Sequence, residues 1–161
     1  MAEPRERPEV RLLAELARAA QLAASRTERL LPDGLSAAGF ETLKLLAASP
    51  APLSPLAIAT ALGVSKGAVT NSLQRLERRG WIAVSADAAD RRRKEVTLTR
   101  VGQAACRSAF IATRPELDAL RAAFGAGEFE AALPFLKRLS AWMGDRQAAP
   151  NLRLIAHGPH D

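Results

Sequence analysis

Residues 54–99 read SPLAIATALGVSKGAVTNSLQRLERRGWIAVSADAADRRRKEVTLT, and this stretch decides the fold. Ser54 and Ser65 are favourable N-cap residues, and each precedes a run of residues with helical spacing. Gly63 and Gly80 follow the two runs, where a residue with positive φ can end a helix. We therefore predict two helices joined by a tight turn, which together form a helix-turn-helix.

The second predicted helix has one apolar face and one polar face. Val69, Leu73 and Leu76 recur at positions i, i+4 and i+7, which predicts a buried stripe. The opposite face carries small, amide and basic side chains, which suit close approach to a major groove and hydrogen bonding to base edges. The residues predicted to bind DNA from this helix are Ser65, Lys66, Gly67, Thr70, Asn71, Gln74 and Arg75, and Arg78 shares the polar face.

A charged hairpin is predicted after the second helix. Trp81–Val84 and Glu95–Leu98 are rich in β-prone residues, and the polar residues between them are too charged to be buried. We interpret the hairpin as a wing. The predicted fold class is therefore mainly α with a small β-hairpin, a winged helix-turn-helix. The wing residues predicted to bind DNA are Asp90, Arg91, Arg92, Arg93 and Lys94.

Three segments, LSAAGFETLKLLA, LAIATALGVSKGAVTNSLQRLERRGWI and DRRRKEVTLTRVG, resemble the MarR family of bacterial transcription regulators. They combine a Leu-Glu-x-x-Gly step, an Asp-Arg-Arg wing and a Leu-Thr-x-x-Gly exit at the spacing of that family. The resemblance implies a homodimer, joined through its N- and C-terminal helices, that binds pseudo-palindromic double-stranded DNA. It also implies release by a small-molecule effector or by oxidation, and we expect the regulator to be a repressor.

The resemblance further assigns roles within the wing. It implies that Asp90 braces Arg92 for insertion beside the phosphates of the minor groove. Arg91, Arg93 and Lys94 would then contact the DNA backbone.

Helical patterns flank the DNA-binding lobe. Pro8 opens a first helix, whose apolar stripe can pack on the same chain or across a dimer interface, and Ser36 caps the next helix. Pro115 and Pro134 should kink or end the helices that contain them. The predicted organisation is a single domain over 1–161, with the lobe at about 32–99, dimerisation helices at about 8–31 and 100–143, and a tail at 144–161.

The positive charge of the chain is concentrated in the predicted lobe. The 161 residues carry a formal net charge of +6. Residues 54–99 contain eight basic against four acidic side chains, whereas residues 1–53 contain seven of each. An excess on a recognition helix and a hairpin tip is the pattern expected for phosphate binding.

Several function classes are not supported by the sequence. It has no apolar run of ~18 residues for a membrane span and no signal peptide, so we expect a cytoplasmic protein. No catalytic constellation or phosphate loop is found, so we predict neither an enzyme nor a cofactor. His157 and His160 lack further ligands, so no metal site is predicted.

Two alternatives remain open. The winged helix could be a protein–protein interaction module, although such a wing should expose apolar anchors instead of a basic tip. Cys106 could be a redox sensor, although its alanine-rich surroundings favour a small buried thiol. The operator, the regulated genes and the identity of an effector cannot be read from the sequence.

Overall fold

The predicted fold class is confirmed by a computed structural model, which describes residues 7–86, 90 and 92–148. Six helices and one two-stranded sheet follow each other along this part of the chain. They are α1 (Pro8–Glu28), α2 (Ala37–Ala48), α3 (Pro55–Leu62), α4 (Lys66–Arg78), β1 (Ile82–Ala86), β2 (Lys94–Leu98), α5 (Arg100–Phe124) and α6 (Ala126–Ala148). Arg91, His157 and His160 lie outside the described residues.

Two compact units divide the chain after Pro115. The first unit contains α1 to α4, the hairpin and the first part of α5. The second unit contains the remainder of α5 together with α6, and the Phe124 and Phe129 rings meet there edge to face, with centroids 6.1 Å apart. Several large apolar side chains of this second unit are exposed.

The hydrophobic core of the first unit lies beneath the helix-turn-helix. Leu43 of α2, Ile58 of α3 and Val96 of β2 are fully buried at its centre. The stripe predicted for α4 joins them, and α5 contributes Cys106 and Ala109. The core therefore holds α4 against α2, α3 and the hairpin. The polar face of α4 is exposed to solvent.

Local sequence signals set the helix ends as predicted. The hydroxyl oxygens of Ser36, Ser54 and Ser65 each accept a hydrogen bond, of 3.1 to 3.2 Å, from the backbone N–H three residues further on. Gly63 and Gly80 take positive φ values of 64° and 67°. The conformation of the turn between α3 and α4 is therefore determined by residues of the turn itself.

The two strands of the hairpin pair antiparallel, with Ile82 opposite Leu98 and Val84 opposite Val96. Leu53 pairs with Val96 from the other side through two backbone hydrogen bonds of 2.8 and 3.1 Å. This additional bridge was not predicted from the sequence, because a single paired residue leaves no periodic pattern. Trp81 lies just before β1 and is buried in the core.

Proline does not interrupt the last two helices. α5 continues through Pro115, so of the two outcomes predicted there, a kink or an end, the end does not occur, and α6 continues through Pro134. Pro115 cannot donate the usual hydrogen bond to the Ile111 carbonyl, and Ile111 is an exposed residue of α5. α6 also extends to Ala148, past Gly144, where the sequence suggested that a tail begins.

Candidate nucleic-acid interface

The polar face of α4 is exposed as its sequence predicts. Val69, Leu73 and Leu76 are buried, and they fix the rotation of the helix about its axis. The predicted residues of this helix and its N-cap are all exposed, namely Ser65, Lys66, Gly67, Thr70, Asn71, Gln74, Arg75 and Arg78, and so are Ala68 and the acidic Glu77. The Thr70 hydroxyl donates to the Lys66 carbonyl at 2.9 Å, which leaves its methyl group available for an apolar contact.

A groove of about 820 Å³ separates α4 from the wing. Lys66 and Thr70 line one side, and Arg92, Arg93 and Lys94 line the other. Pro55 and Leu56, which the sequence analysis did not single out, are also lining residues. The structure thus brings one flank of α4 and the basic hairpin together around a single positively charged groove.

Asn71 and Arg75 lie on the other flank of α4. They line a separate cleft of about 170 Å³ together with the first turn of α2, including Ser36 and Gly39. Four of the predicted residues are therefore divided between two clefts, whereas Ser65, Gly67 and Gln74 line neither. The sequence could not show this division, because Gly39 lies 32 positions before Asn71 along the chain.

The wing tip is shaped by Asp90. One carboxylate oxygen accepts the backbone N–H of Arg92 at 3.0 Å, and the other lies 3.5 Å from Nε of Arg93. The Asp90 carbonyl accepts the Arg93 N–H at 2.8 Å and closes the turn. Asp90 thus contacts the backbone of Arg92 and the guanidinium of Arg93.

The C-terminal end of α4 is bonded directly to the start of α5 in a contact that we call the α4–α5 junction, formed by Gly80, Trp81, Thr99 and Gly102. The Thr99 hydroxyl oxygen lies 2.7 Å from the Gly80 carbonyl and 3.1 Å from the Trp81 carbonyl. The same oxygen accepts the Gly102 N–H at 3.0 Å and so caps α5. One hydroxyl group therefore links the recognition helix to the long helix that follows the wing.

A half-open cleft of about 430 Å³ lies between β2, α5 and the end of α2, and we call it the β2–α5 cleft. Its walls include Leu98 of β2 and Gln103, Cys106 and Arg107 of α5. The lining is mixed, with apolar side chains beside one arginine and one amide. Its size and composition suit a small organic molecule.

A sequence model described as the MarR family matches residues 33–93, which include α2, the helix-turn-helix and β1. The matched segment belongs to the MarR family. The match includes α4 and β1 and ends before β2, so it overlaps the segments that carry the sequence resemblance. MarR proteins are transcription regulators and not enzymes. No curated protein sequence matches the chain.

Solved structures of transcription regulators resemble the whole fold. BpsR of Bordetella bronchiseptica is 27% identical, with a TM-score of 0.71 over 81% of this chain and 98% of its own. Wild-type MarR of E. coli is 28% identical, with a TM-score of 0.57 over 77% and 96%. BldR of Sulfolobus solfataricus, at 22% identity, shares the fold with a TM-score of 0.72 over 86% and 99%. The MarR likeness therefore extends beyond the matched segment.

Other kinds of site were sought in the part of the chain that the structure describes. Across residues 7–86, 90 and 92–148, no cluster of three or more histidine, cysteine or acidic side chains could hold a metal ion. Within the same ranges, no helix is long and apolar enough to cross a lipid bilayer.

The single cysteine of the chain is 4% exposed. Burial raises the pKa of the Cys106 thiol, although the positive charges of Lys44 and Arg107 act in the opposite direction. A raised pKa leaves less thiolate at neutral pH, and the thiolate is the form that peroxides oxidise. The environment of Cys106 therefore disfavours rapid oxidation.

We expect Cys106→Ser to leave the response of DNA binding to oxidants unchanged, because so little of the thiol is ionised. Gel shifts of wild type and variant with hydrogen peroxide, each followed by reduction, test this expectation. A wild-type complex that dissociates in peroxide while the variant complex persists would show that Cys106 is a redox sensor.

Proposed function

We propose that this chain is a sequence-specific DNA-binding transcription regulator that acts as a repressor. The observation that carries the proposal is the exposed polar face of α4 beside a groove lined by wing cations. Side chains such as Asn71 and Gln74 can bond base edges in the major groove. Arg92 and its neighbours can contact phosphates near the minor groove. A regulator that binds chromosomal DNA would act in the cytoplasm.

A DNA selection tests the proposal without knowledge of the operator. The purified chain is incubated with a randomised pool of duplexes, and the bound fraction is amplified through several rounds. We expect enrichment of one pseudo-palindromic sequence, here called the selected duplex, with half-sites about one helical turn, ~34–36 Å, apart. Failure to enrich any duplex would favour the alternative of a protein-interaction module.

A homodimer is the second part of the proposal. α1 has no buried residue, and it exposes Leu12, Leu13 and Leu22. The second unit exposes Phe129, Leu133 and Trp142 by 42%, 49% and 56%. Exposed apolar side chains in such number favour a partner surface, and a second copy is the partner that a two-fold operator requires.

We expect the chain to sediment at micromolar concentration with twice the 17.2 kDa mass of one chain. The physical reason is that association removes the apolar side chains of α1 and α6 from water. Sedimentation velocity measures the mass, and Leu133→Glu should shift the equilibrium toward single chains. A wild-type monomer at this concentration would contradict the dimer.

The β2–α5 cleft supports a small-molecule effector, because a cleft of this size beside Arg107 could hold a small organic acid. BpsR is a protein whose DNA binding is regulated by 6-hydroxynicotinic acid. We propose by analogy that a small effector releases this chain from its operator. Titration of the complex on the selected duplex with small aromatic acids, beginning with 6-hydroxynicotinic acid, tests the release.

A further inference from the structure

We propose that Thr99 couples the β2–α5 cleft to the recognition helix, and is therefore a positioning residue for DNA binding. The inference rests on the proposed function and adds the route by which a change in the cleft reaches α4. It starts from the α4–α5 junction, where the Thr99 side chain bonds both to the residues after α4 and to the first turn of α5.

The two walls of the cleft meet at Thr99. Leu98, which lines the cleft, immediately precedes Thr99 at the end of β2. Gln103, on the opposite wall, donates its backbone N–H to the Thr99 carbonyl at 2.8 Å. A group that enters the cleft and separates β2 from α5 must therefore act on the segment that holds Thr99.

The other side of Thr99 is hydrogen-bonded to Gly80 and Trp81, which follow the C-terminal end of α4. Its hydroxyl lies 2.7 Å from the Gly80 carbonyl, and its N–H donates to the Trp81 carbonyl at 3.1 Å. Trp81 in turn donates its N–H to the Leu76 carbonyl at 3.0 Å, inside the last turn of α4. Hydrogen bonds thus lead from Gln103 in the cleft wall to Thr99, from Thr99 to Trp81, and from Trp81 to Leu76 in α4.

The junction has little freedom to absorb a displacement. Gly102 lies so close to the Trp81 carbonyl that a Cβ atom would overlap the carbonyl oxygen. Trp81 is itself buried in the core, at 8% exposure. Since close-packed contacts transmit displacements instead of damping them, a shift of α5 should reach the end of α4.

The first test compares two substitutions at one position. Thr99→Val removes the hydroxyl at nearly constant volume, whereas Thr99→Ser keeps it. Thr113→Val is the matched control, because the buried Thr113 hydroxyl also lies on α5 but donates to the Ala109 carbonyl within the helix. All variants are measured at a temperature where circular dichroism shows them to be folded.

We expect Thr99→Val to bind the selected duplex about tenfold more weakly, a change within the usual range of allosteric coupling. The preference for selected over random duplex, measured as the ratio of the two dissociation constants, should also fall. Thr99→Ser and Thr113→Val should bind like wild type. A purely structural Thr99 would lower the melting temperature but leave both dissociation constants unchanged, and that result overturns the proposal.

The second test places a known group in the cleft. Cys106 is the only cysteine of the chain and lines the cleft, so it accepts a methylthio or benzylthio group from the corresponding methanethiosulfonate. The thiolate sulfur bonds to the reagent's sulfenyl sulfur, methanesulfinate leaves, and the thiol proton passes to buffer. Reaction in urea followed by refolding overcomes burial of the thiol, and dithiothreitol reverses it.

We expect the adducts to weaken wild-type binding to the selected duplex by about tenfold, more for benzylthio than for methylthio, and dithiothreitol to restore it. The same adducts on Thr99→Val should change binding by less than about twofold, because the route is already broken. An equal adduct effect in both proteins, or none in wild type, would overturn the coupling.

Hydrogen exchange on the wild-type chain keeps the inference testable if Thr99→Val does not fold or if no duplex is selected. The methylthio adduct should accelerate amide exchange at Thr99, at Gly102 and at Trp81, beyond the cleft itself. Acceleration confined to cleft-lining residues contradicts the coupling. Since this readout involves no DNA, its failure is distinct from failure of the proposed function.

Discussion

Replacing Gly102 by alanine is expected to destabilise the fold by about 3 kcal/mol, a large effect for the addition of one methyl group. The new Cβ would overlap the backbone carbonyl oxygen of Trp81, and a carbonyl fixed in the core cannot move aside as a flexible side chain can. It would also approach Leu98, so relief requires movement of α5 away from the hairpin.

Thermal unfolding at fixed protein concentration measures the cost. A loss of about 3 kcal/mol corresponds to a fall of about 6–12 °C in the melting temperature for a chain of this size. Gly144→Ala is the matched control, because a Cβ at this position of α6 would meet no neighbouring atom. That variant should be unchanged or more stable by at most about 1 kcal/mol. Equal melting temperatures for both variants would show that the α4–α5 junction yields easily.

The elements that the sequence predicted well depend on neighbouring residues. The serine caps and the glycine ends of α3 and α4 act within four residues, so their signals can be read along the chain. The apolar stripe of α4 likewise fixes which side chains face solvent. The residue types of the DNA-binding surface were therefore predictable, together with their exposure.

The parts that the sequence missed depend on contacts between distant residues. The hydroxyl of Thr99 contacts Gly80, nineteen positions earlier, and Leu53 pairs with Val96 on the side of β2 that faces away from β1. The β2–α5 cleft is likewise lined by three separate stretches of sequence. Periodicity contains no information about such contacts, so the residues that form the junction and line the cleft could not be predicted.

Helix continuity at Pro115 also depends on more than the sequence pattern. A sequence rule counts the hydrogen bond that Pro115 removes, but the cost depends on whether water reaches the carbonyl left behind. Ile111 lies at an exposed position, and α5 continues through Pro115. Similarly, the sequence placed Asp90 beside two arginines, and only coordinates show that its carboxylate meets the Arg92 backbone and the Arg93 guanidinium.

The two DNA-reading elements should respond differently to substitution. Asn71→Ala or Gln74→Ala removes a possible bidentate partner of a base edge, so we expect a loss of ~1–3 kcal/mol on the selected duplex and little loss on random DNA. Arg92→Ala removes a cation near phosphates, so both duplexes should be bound more weakly, with a salt slope lower by about one unit.

Salt-dependent binding curves on the selected and scrambled duplexes distinguish these outcomes. Glu41→Ala is a control, because Glu41 is exposed on α2 and pairs with Lys44 there. Its effect on the ratio between the two duplexes should be negligible. If Asn71→Ala weakened binding to both duplexes equally, Asn71 would contact the DNA backbone. Other residues would then have to read the bases.

Asp90 decides whether the wing acts as an ordered element or only as a charge. Asp90→Ala and Asp90→Asn both remove one negative charge, so electrostatic attraction alone predicts equal tightening of DNA binding. Only Asp90→Ala also removes the oxygen that accepts the Arg92 N–H at 3.0 Å and shapes the tip. We therefore expect Asp90→Ala to bind the selected duplex more weakly than Asp90→Asn, at every salt concentration. Equal and tighter binding by both variants would mean that the conformation of the tip is irrelevant and that its net charge alone attracts DNA.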